Sequence, residues 1–207
     1  RSPSRGLGDV YKRQDYVYLS EEERGFLMSR PIDYVITQLQ LSQFKMKLGD
    51  NKKSVMLNFQ HPVKELYFVS QSEESVQNNY PNEYNTITNV KLQFNNETVF
   101  NRNTKFLGYE QPLKHHLNSP QIDIIALSSP FSNSVYHFGP ASFGMYSFSL
   151  KPEVHYPTGQ VNMSRITHKM LTMEIDPINT IDDNNTRVYA VNYNVLRFES
   201  GLAGLKF

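Results

Sequence analysis

The sequence predicts an all-β fold of about eight short antiparallel strands, arranged as a jelly roll or another Greek-key sandwich. Three observations carry this. Apolar and polar residues alternate with a period of two in one segment after another, the pattern of strands with one face buried. The 11 Pro and 10 Gly are spread along the chain and cut it into short pieces, which suits turns between strands better than long helices. The 13 Tyr and 13 Phe supply flat rings that pack well on pleated surfaces.

Taken in order, residues 1–14 (RSPSRGLGDVYKRQ) are basic and aperiodic. Composition makes them a disordered tail; they also resemble translated adapter sequence, which would make them non-native, and they are left out of the fold. Asp15–Leu19 reads as a short β segment. Ser20 then opens a helical turn, with Glu23 at the capping-box position, and Pro31 ends it. From Pro31 onward the strands follow. Val35, Leu39 and Leu41 share a face opposite Gln38 and Gln40. Val55, Leu57 and Phe59 alternate with Met56 and Asn58, and Val90, Leu92 and Phe94 with Lys91, Gln93 and Asn95. Tyr146, Phe148 and Leu150 alternate with Ser147 and Ser149. Lys169, Leu171, Met173 and Ile175 form one face, and Tyr189, Val191, Tyr193 and Val195 are expected in the core. Val63–Val69 is apolar on both faces near its end, as a central strand is.

The connections carry turn chemistry. Gly49-Asp50-Asn51 is a tight hairpin candidate. Pro157-Thr158-Gly159 and Asp182–Asn185 are further turns. Ser72–Thr88, Phe100–Asn118 (with a helical turn) and Ser128–Ala141 are expected as long loops. No internal repeat is present.

Composition excludes several function classes. A formal net charge of +1 argues against a nucleic-acid binder, which needs a basic surplus to neutralise phosphates. With no Cys, disulfides, thiolate metal sites and cysteine nucleophiles are ruled out, in keeping with a reducing compartment. No apolar run approaches the ~18–20 residues that span a bilayer, and Arg1–Gln14 lacks the apolar segment of a signal peptide.

Catalytic motifs are missing too. His115-His116 has no ligand-like spacing to Glu110 or Asp123 and is expected on a surface loop. There is no Gly-x-Ser-x-Gly elbow and no phosphate-binding glycine loop. Glu73-Glu74 and Asp182-Asp183 read as solvated turns rather than acid/base pairs. Sequons stand at Asn96, Asn162 and Asn184.

Four segments, in order, resemble the major capsid proteins of nucleocytoplasmic large DNA viruses. Asp15–Gln40 is similar to the family's segment between its two jelly rolls. Leu57–Val69 (LNFQHPVKELYFV) resembles its Asn-His-Pro-x-Lys-Glu-Leu strand pair, with Gln60 in place of Asn. Gly144–Ile166 carries the Tyr-x-Phe-x-Leu-x-Pro-Glu, Pro-x-Gly and Asn-x-Ser-Arg-Ile elements, with Met163 in place of Phe. Val188–Leu205 resembles the terminal strand and its Ser-Gly-x-x-Gly-Leu ending.

The resemblance implies an eight-stranded antiparallel jelly roll, the second barrel of a double jelly-roll protein. Residues 15–30 would be the end of the first jelly roll and the linker, and residues 31–207 the C-terminal jelly-roll domain. It implies a structural, non-enzymatic subunit with no catalytic, cofactor or metal residues. Three copies would form a pseudo-hexagonal capsomer that meets neighbouring capsomers and minor capsid proteins, without direct nucleic-acid contact or membrane insertion. The location would be the virion capsid, assembled in the host cytoplasm. Lys64 and Glu65 would pair across strands or subunits, or stand as ordinary surface charge. Arg165 would bond a loop or a neighbour, or face solvent. His61-Pro62 would redirect the chain, and Gly201 and Gly204 would let it leave the barrel. Phe100, Phe106, Leu113, Phe131 and Phe138 are candidate interface anchors or covers of the barrel's own core. A jelly-roll carbohydrate-binding module is the alternative, since Tyr-rich loops and Asn suit sugars; a metal-dependent cupin is a third.

Overall fold

The computed structural model describes residues 15–78, 84–116, 124–127, 135–138, 143–176 and 182–207, with backbone alone at 124–127 and 135–138. Twelve strands are present among them: β1 (Ile32–Met46), β2 (Lys52–Met56), β3 (Pro62–Ser72), β4 (Ile87–Phe94), β5 (Glu97–Asn103), β6 (Ile124–Leu127), β7 (Val135–Phe138), β8 (Gly144–Ser147), β9 (Val161–Asn162), β10 (Lys169–Ile175), β11 (Asn184–Glu199) and β12 (Leu202–Leu205). Helices are short: α1 (Glu21–Met28), α2 (Glu73–Gln77) and α3 (Gln111–His115), the last entered through a π turn at Phe106–Glu110.

One sheet runs β1-β11-β3-β8, with β9 added to β3 and β12 to β11; the facing sheet runs β2-β10-β4-β5. Counted in chain order, the eight principal strands read 1-8-3-6 and 2-7-4-5 across the two sheets. Every connection but the fourth crosses between the sheets. That is the jelly-roll order, and it decides between the sandwich topologies that periodicity left open. The extra strands are β6 and β7, which among the described residues pair with each other alone, and the short β9 and β12.

The core lies between the sheets. Met46, Leu66, Phe68, Val188 and Ala190 from the long sheet meet Ile87, Val90, Leu92, Leu171, Met173 and Ile175 from the short one. The predicted inward faces of β4 and β10 are therefore the observed ones. β3 is central, as its two-sided apolar run implied, and pairs with β11, β8 and β9.

The inward face of the β1–β11 ladder is the opposite of the expected one. Val35, Leu39 and Leu41 are 54%, 63% and 52% exposed. On β11 the inward residues Asn184, Thr186, Val188, Ala190, Asn192 and Asn194 are buried, while of the expected core residues Tyr189, Val191 and Val195 are only half-buried and Tyr193 alone is buried. The cause is strand length. β1 has 15 residues and β10 has 7, so β1 spans about 50 Å against about 23 Å. The short sheet covers only part of the long one. Beyond it the inner face is held by amides. Asn194 donates to Gln38 at 2.9 Å, and Gln40 donates to Asn192 at 3.0 Å. Gln40 also exchanges bonds with the backbone of Gln60. At and after β8 the alternation is mixed: Tyr146 and Phe148 pack partly buried against the core as expected, but Ser147 and Ser149 are buried too and Leu150 is 73% exposed.

Other local readings resolve as follows. Ser20 and Glu23 form the expected capping box on α1. The turn at Gly49, with φ +90°, hands the chain from one sheet to the other and so closes no hairpin. The stretch expected as a loop over Ser128–Ala141 contains β7. Asn184 and Asn185, expected in a turn, begin β11. Gly159 is required by a close approach: a Cβ there would stand 2.7 Å from the Phe148 carbonyl oxygen. Ser200 and Gly201, with φ +53° and +79°, make a two-residue reversal. The chain therefore does not leave the barrel but folds back as β12.

At the start of the long ladder Asp33 takes a bidentate bond from Arg197, at 2.8 and 2.9 Å, and a 3.3 Å contact from Lys206. The Arg197 bond holds the Asp33 carboxyl down at about 2. A depressed carboxyl pKa gives stability that is present above the ordinary carboxylate range and lost as pH falls through the folded value. An NMR titration should place the Asp33 midpoint at about 2, below the ordinary carboxylate range.

Candidate functional site

The exposed flank of the long sheet is apolar. β1 places Val35, Leu39 and Leu41 beside Val195, Val191 and Tyr189 of β11 in register, so the outward side chains run as one band. Single exposed apolar residues need no explanation, but a contiguous band across two strands marks a surface that is covered in an assembly.

A second apolar surface lies where β1 begins and β11 ends. A groove there is lined by Leu27, Met28, Ile32, Tyr34 and Phe198. Tyr34 and Phe198 meet edge to face at 5.8 Å. α1 rests over the β11–β12 turn, with Met28 Cε 3.6 Å from the Cβ position of Gly201, yet α1 itself buries no residue. Before it, Tyr16, Val17 and Tyr18 are 73–92% exposed.

The other half of the outer flank carries a buried polar clamp. Glu65 of β3 is 4% exposed. Its carboxylate accepts from the Tyr67 hydroxyl at 3.1 Å and lies 2.9 Å from His116 Nε2. The other ring nitrogen of His116 lies 3.1 Å from Glu153, so each nitrogen faces a carboxylate. Lys64 Nζ is 3.9 Å from Glu65 and donates to the Pro152 carbonyl at 2.6 Å. Burial first, and then the Glu65 charge, push the Tyr67 hydroxyl above the usual phenol range. Gln111 accepts the Ser147 N–H at 3.1 Å, so α3 caps the open edge of β8. The clamp thus fastens three segments: β3, the end of α3, and the turn after β8.

Several expectations change here. His116 is not on a free surface loop, since its side chain is 18% exposed. Lys64 and Glu65 are buried partners within one chain rather than surface charge. Phe100 is 6% exposed in the core and is no loop anchor. Phe106 packs partly against that core under the Arg102 guanidinium, 5.0 Å from its ring. Leu113 is 58% exposed. Phe131 and the Phe138 side chain lie outside the described residues. Arg165 is exposed at the end of a short 3-10 turn. Of the sequons, Asn96 and Asn162 are exposed, whereas Asn184 is fully buried at 0% and accepts from Asn85. Among the described residues no group of three or more His, Cys, Asp or Glu is placed to hold a metal. Glu65 and Glu153 sit on opposite sides of the His116 ring and do not converge. Periodicity carried no signal for the clamp, whose members are far apart in sequence.

A jelly roll with a packed core, an apolar flank left open and polar residues used to fasten loops defines a class: a single jelly-roll domain with an exposed apolar flank. The particular family follows from comparison. The chain belongs to the large eukaryotic DNA virus major capsid proteins, whose family model matches residues 23–204. It is 34% identical over 200 residues to the major capsid protein of Pyramimonas orientalis virus, covering 93% of this chain and 47% of that protein. It is 29% identical to probable capsid protein 4 of Acanthamoeba polyphaga mimivirus, covering 96% of this chain and 39% of that one. The chain therefore spans under half the length of these two relatives. The fold is similar to that in the PBCV-1 virus capsid, with a TM-score of 0.68 at 22% identity over 93% of this chain and 55% of the other. It is also similar to that of the Faustovirus major capsid protein, with a TM-score of 0.58 at 12% identity over 86% of this chain and 36% of the other.

Proposed function

We propose that this chain is the second barrel of a double jelly-roll major capsid protein and serves as a structural, non-enzymatic subunit of an icosahedral virion shell. The observation that carries the reading is the open apolar band of Val35, Leu39, Leu41, Val191 and Tyr189 on a barrel whose own core is already complete. Family membership supplies the context, because a shell subunit must bury its flanks against other barrels.

On this reading residues 15–30 are the end of a first jelly roll and the linker, and residues 31–207 are the C-terminal jelly-roll domain. The groove between α1, Ile32, Tyr34 and Phe198 receives the first barrel. The apolar flank receives a neighbouring copy. Three copies close a heterologous ring as a pseudo-hexagonal capsomer, which then meets neighbouring capsomers and minor capsid proteins. No direct nucleic-acid contact, membrane insertion, catalytic residue or cofactor is part of the proposal, and assembly takes place in the host cytoplasm. The carbohydrate-binding alternative gains no support from the matched proteins, which are capsid proteins.

The test is the mass of the full-length protein, including the half upstream of Asp15, measured by light scattering after gel filtration. A stable trimer is expected, with interfaces above ~2,000 Å² in total. A monomer that persists at high concentration overturns the reading.

A further inference from the structure

We infer that two copies of this chain pair antiparallel along the free edge of β1, with a two-fold axis at Leu39, and so join their long sheets into one. This goes beyond the shell reading and stands without it, because it concerns the backbone edge of the strand.

β1 pairs with β11 from Ile32↔Phe198 to Met46↔Asn184 and is the terminal strand of its sheet. Among the described residues no strand pairs with its other side, which runs for 15 residues. Proteins normally blunt such an edge with charges, proline, bulges or short length. β1 uses none of these along its middle. Its register runs without a shift, and Tyr34–Phe44 contains no charge, Pro or Gly. Among the described residues, the one side chain that reaches a β1 carbonyl is Lys53, at Lys45. The edge is therefore a template for strand addition.

Charge identifies the occupant as a second copy. β1 carries two charged residues, Asp33 and Lys45, placed symmetrically about Leu39. Antiparallel pairing centred on Leu39 sets Asp33 opposite Lys45 of the second copy, and this happens twice. It also sets Tyr34 opposite Phe44, Thr37 opposite Leu41, and Leu39 opposite itself. In-register parallel pairing would instead put Asp33 against Asp33 and Lys45 against Lys45. Because Asp33 and Lys45 also have partners in their own chain, Arg197 and Glu73, their cross-copy pairing fixes register and orientation. The apolar and aromatic cross-strand pairs supply the affinity.

The experiment is sedimentation equilibrium on the 207-residue chain, with circular dichroism to verify the β fold. The parent chain is expected to dimerise. Leu39 is exposed, so substitutions there spare the core. Leu39→Lys and Leu39→Glu each set like charges on the axis and should weaken the dimer by roughly tenfold or more. An equimolar mixture of the two should recover it. Since the chain has no Cys, Leu39→Cys introduces a single thiol that meets only its own symmetry mate. Oxidation should give a disulfide-linked dimer, while Leu202→Cys, on exposed β12, should not. A folded parent chain that stays monomeric overturns the inference. So does a dimer that survives Leu39→Lys and Leu39→Glu unchanged, or one that gives no Leu39→Cys disulfide. The trimer test on the full-length protein can fail or succeed independently of each of these.

Discussion

Replacing Phe68 by alanine is expected to destabilise the barrel by about 3–5 kcal/mol. Phe68 is fully buried on β3, faces the ring of Phe100 at 6.3 Å, and lies close enough to Gly144 that a Cβ there would touch it at 3.4 Å. Its neighbours belong to two sheets and to the close Gly144 backbone, so they cannot collapse into the space, and a cavity remains. For a chain of this size the melting temperature should fall by roughly 10 °C. The informative control is Leu39→Ala, measured at a concentration where the chain is monomeric. Leu39 is apolar and alternates with Gln38 and Gln40, yet it is exposed, so its truncation should change stability by no more than about 0.5 kcal/mol. Urea unfolding of both variants checks the assignment of faces. A large loss for Leu39→Ala with a small one for Phe68→Ala would mean that the long sheet is packed the other way round.

That contrast marks what the sequence could and could not reveal. Strand existence was legible because alternation follows from the pleat alone, and the segments Val55–Phe59, Val90–Phe94 and Lys169–Ile175 bury the faces their pattern implies. The β1–β11 ladder misleads because its inner face is filled with polar groups and its apolar face is the open one. One face holds Gln38, Gln40, Asn192 and Asn194, which bond to one another inside. The other holds Val35, Leu39 and Leu41, which wait for another surface. A rule that sends apolar residues inward within one chain inverts such a strand, since it has no knowledge of a partner. Jelly-roll order was likewise beyond periodicity, because the turn at Gly49 reads as a hairpin when it is a crossing between sheets. The resemblance of Leu57–Val69 and Gly144–Ile166 to a capsid family carried that information. Even so, it did not reveal that Glu65 in the first segment and Glu153 in the second hold the same histidine.

Removing Glu65 should be nearly as costly as removing Phe68, for an electrostatic reason. Its side chain is 6% exposed and is balanced by the Tyr67 hydroxyl, His116 and Lys64. Glu65→Ala leaves a buried ammonium and an imidazole without their shared carboxylate, and breaking a buried pair from one side costs about 3–5 kcal/mol. His116→Ala removes a more accessible group and should cost less, about 1–3 kcal/mol, because water can reach the Glu153 side of the clamp. Urea titration gives both numbers, and hydrogen exchange over α3 should rise in both variants if the clamp is what fastens that helix across β8. The pH dependence has a definite sign. The raised Tyr67 hydroxyl stays protonated in the folded chain at pH values where an unfolded tyrosine ionises. Its contribution is complete below the ordinary phenol range and is lost as pH rises through the folded value. NMR of the Tyr67 ring should therefore show it ionising above the ordinary phenol range in the parent chain. In Glu65→Ala its midpoint should move down towards that range, since the adjacent negative charge is gone. A Tyr67 midpoint indifferent to Glu65 would mean that burial alone sets it and that the carboxylate stands apart from the hydroxyl.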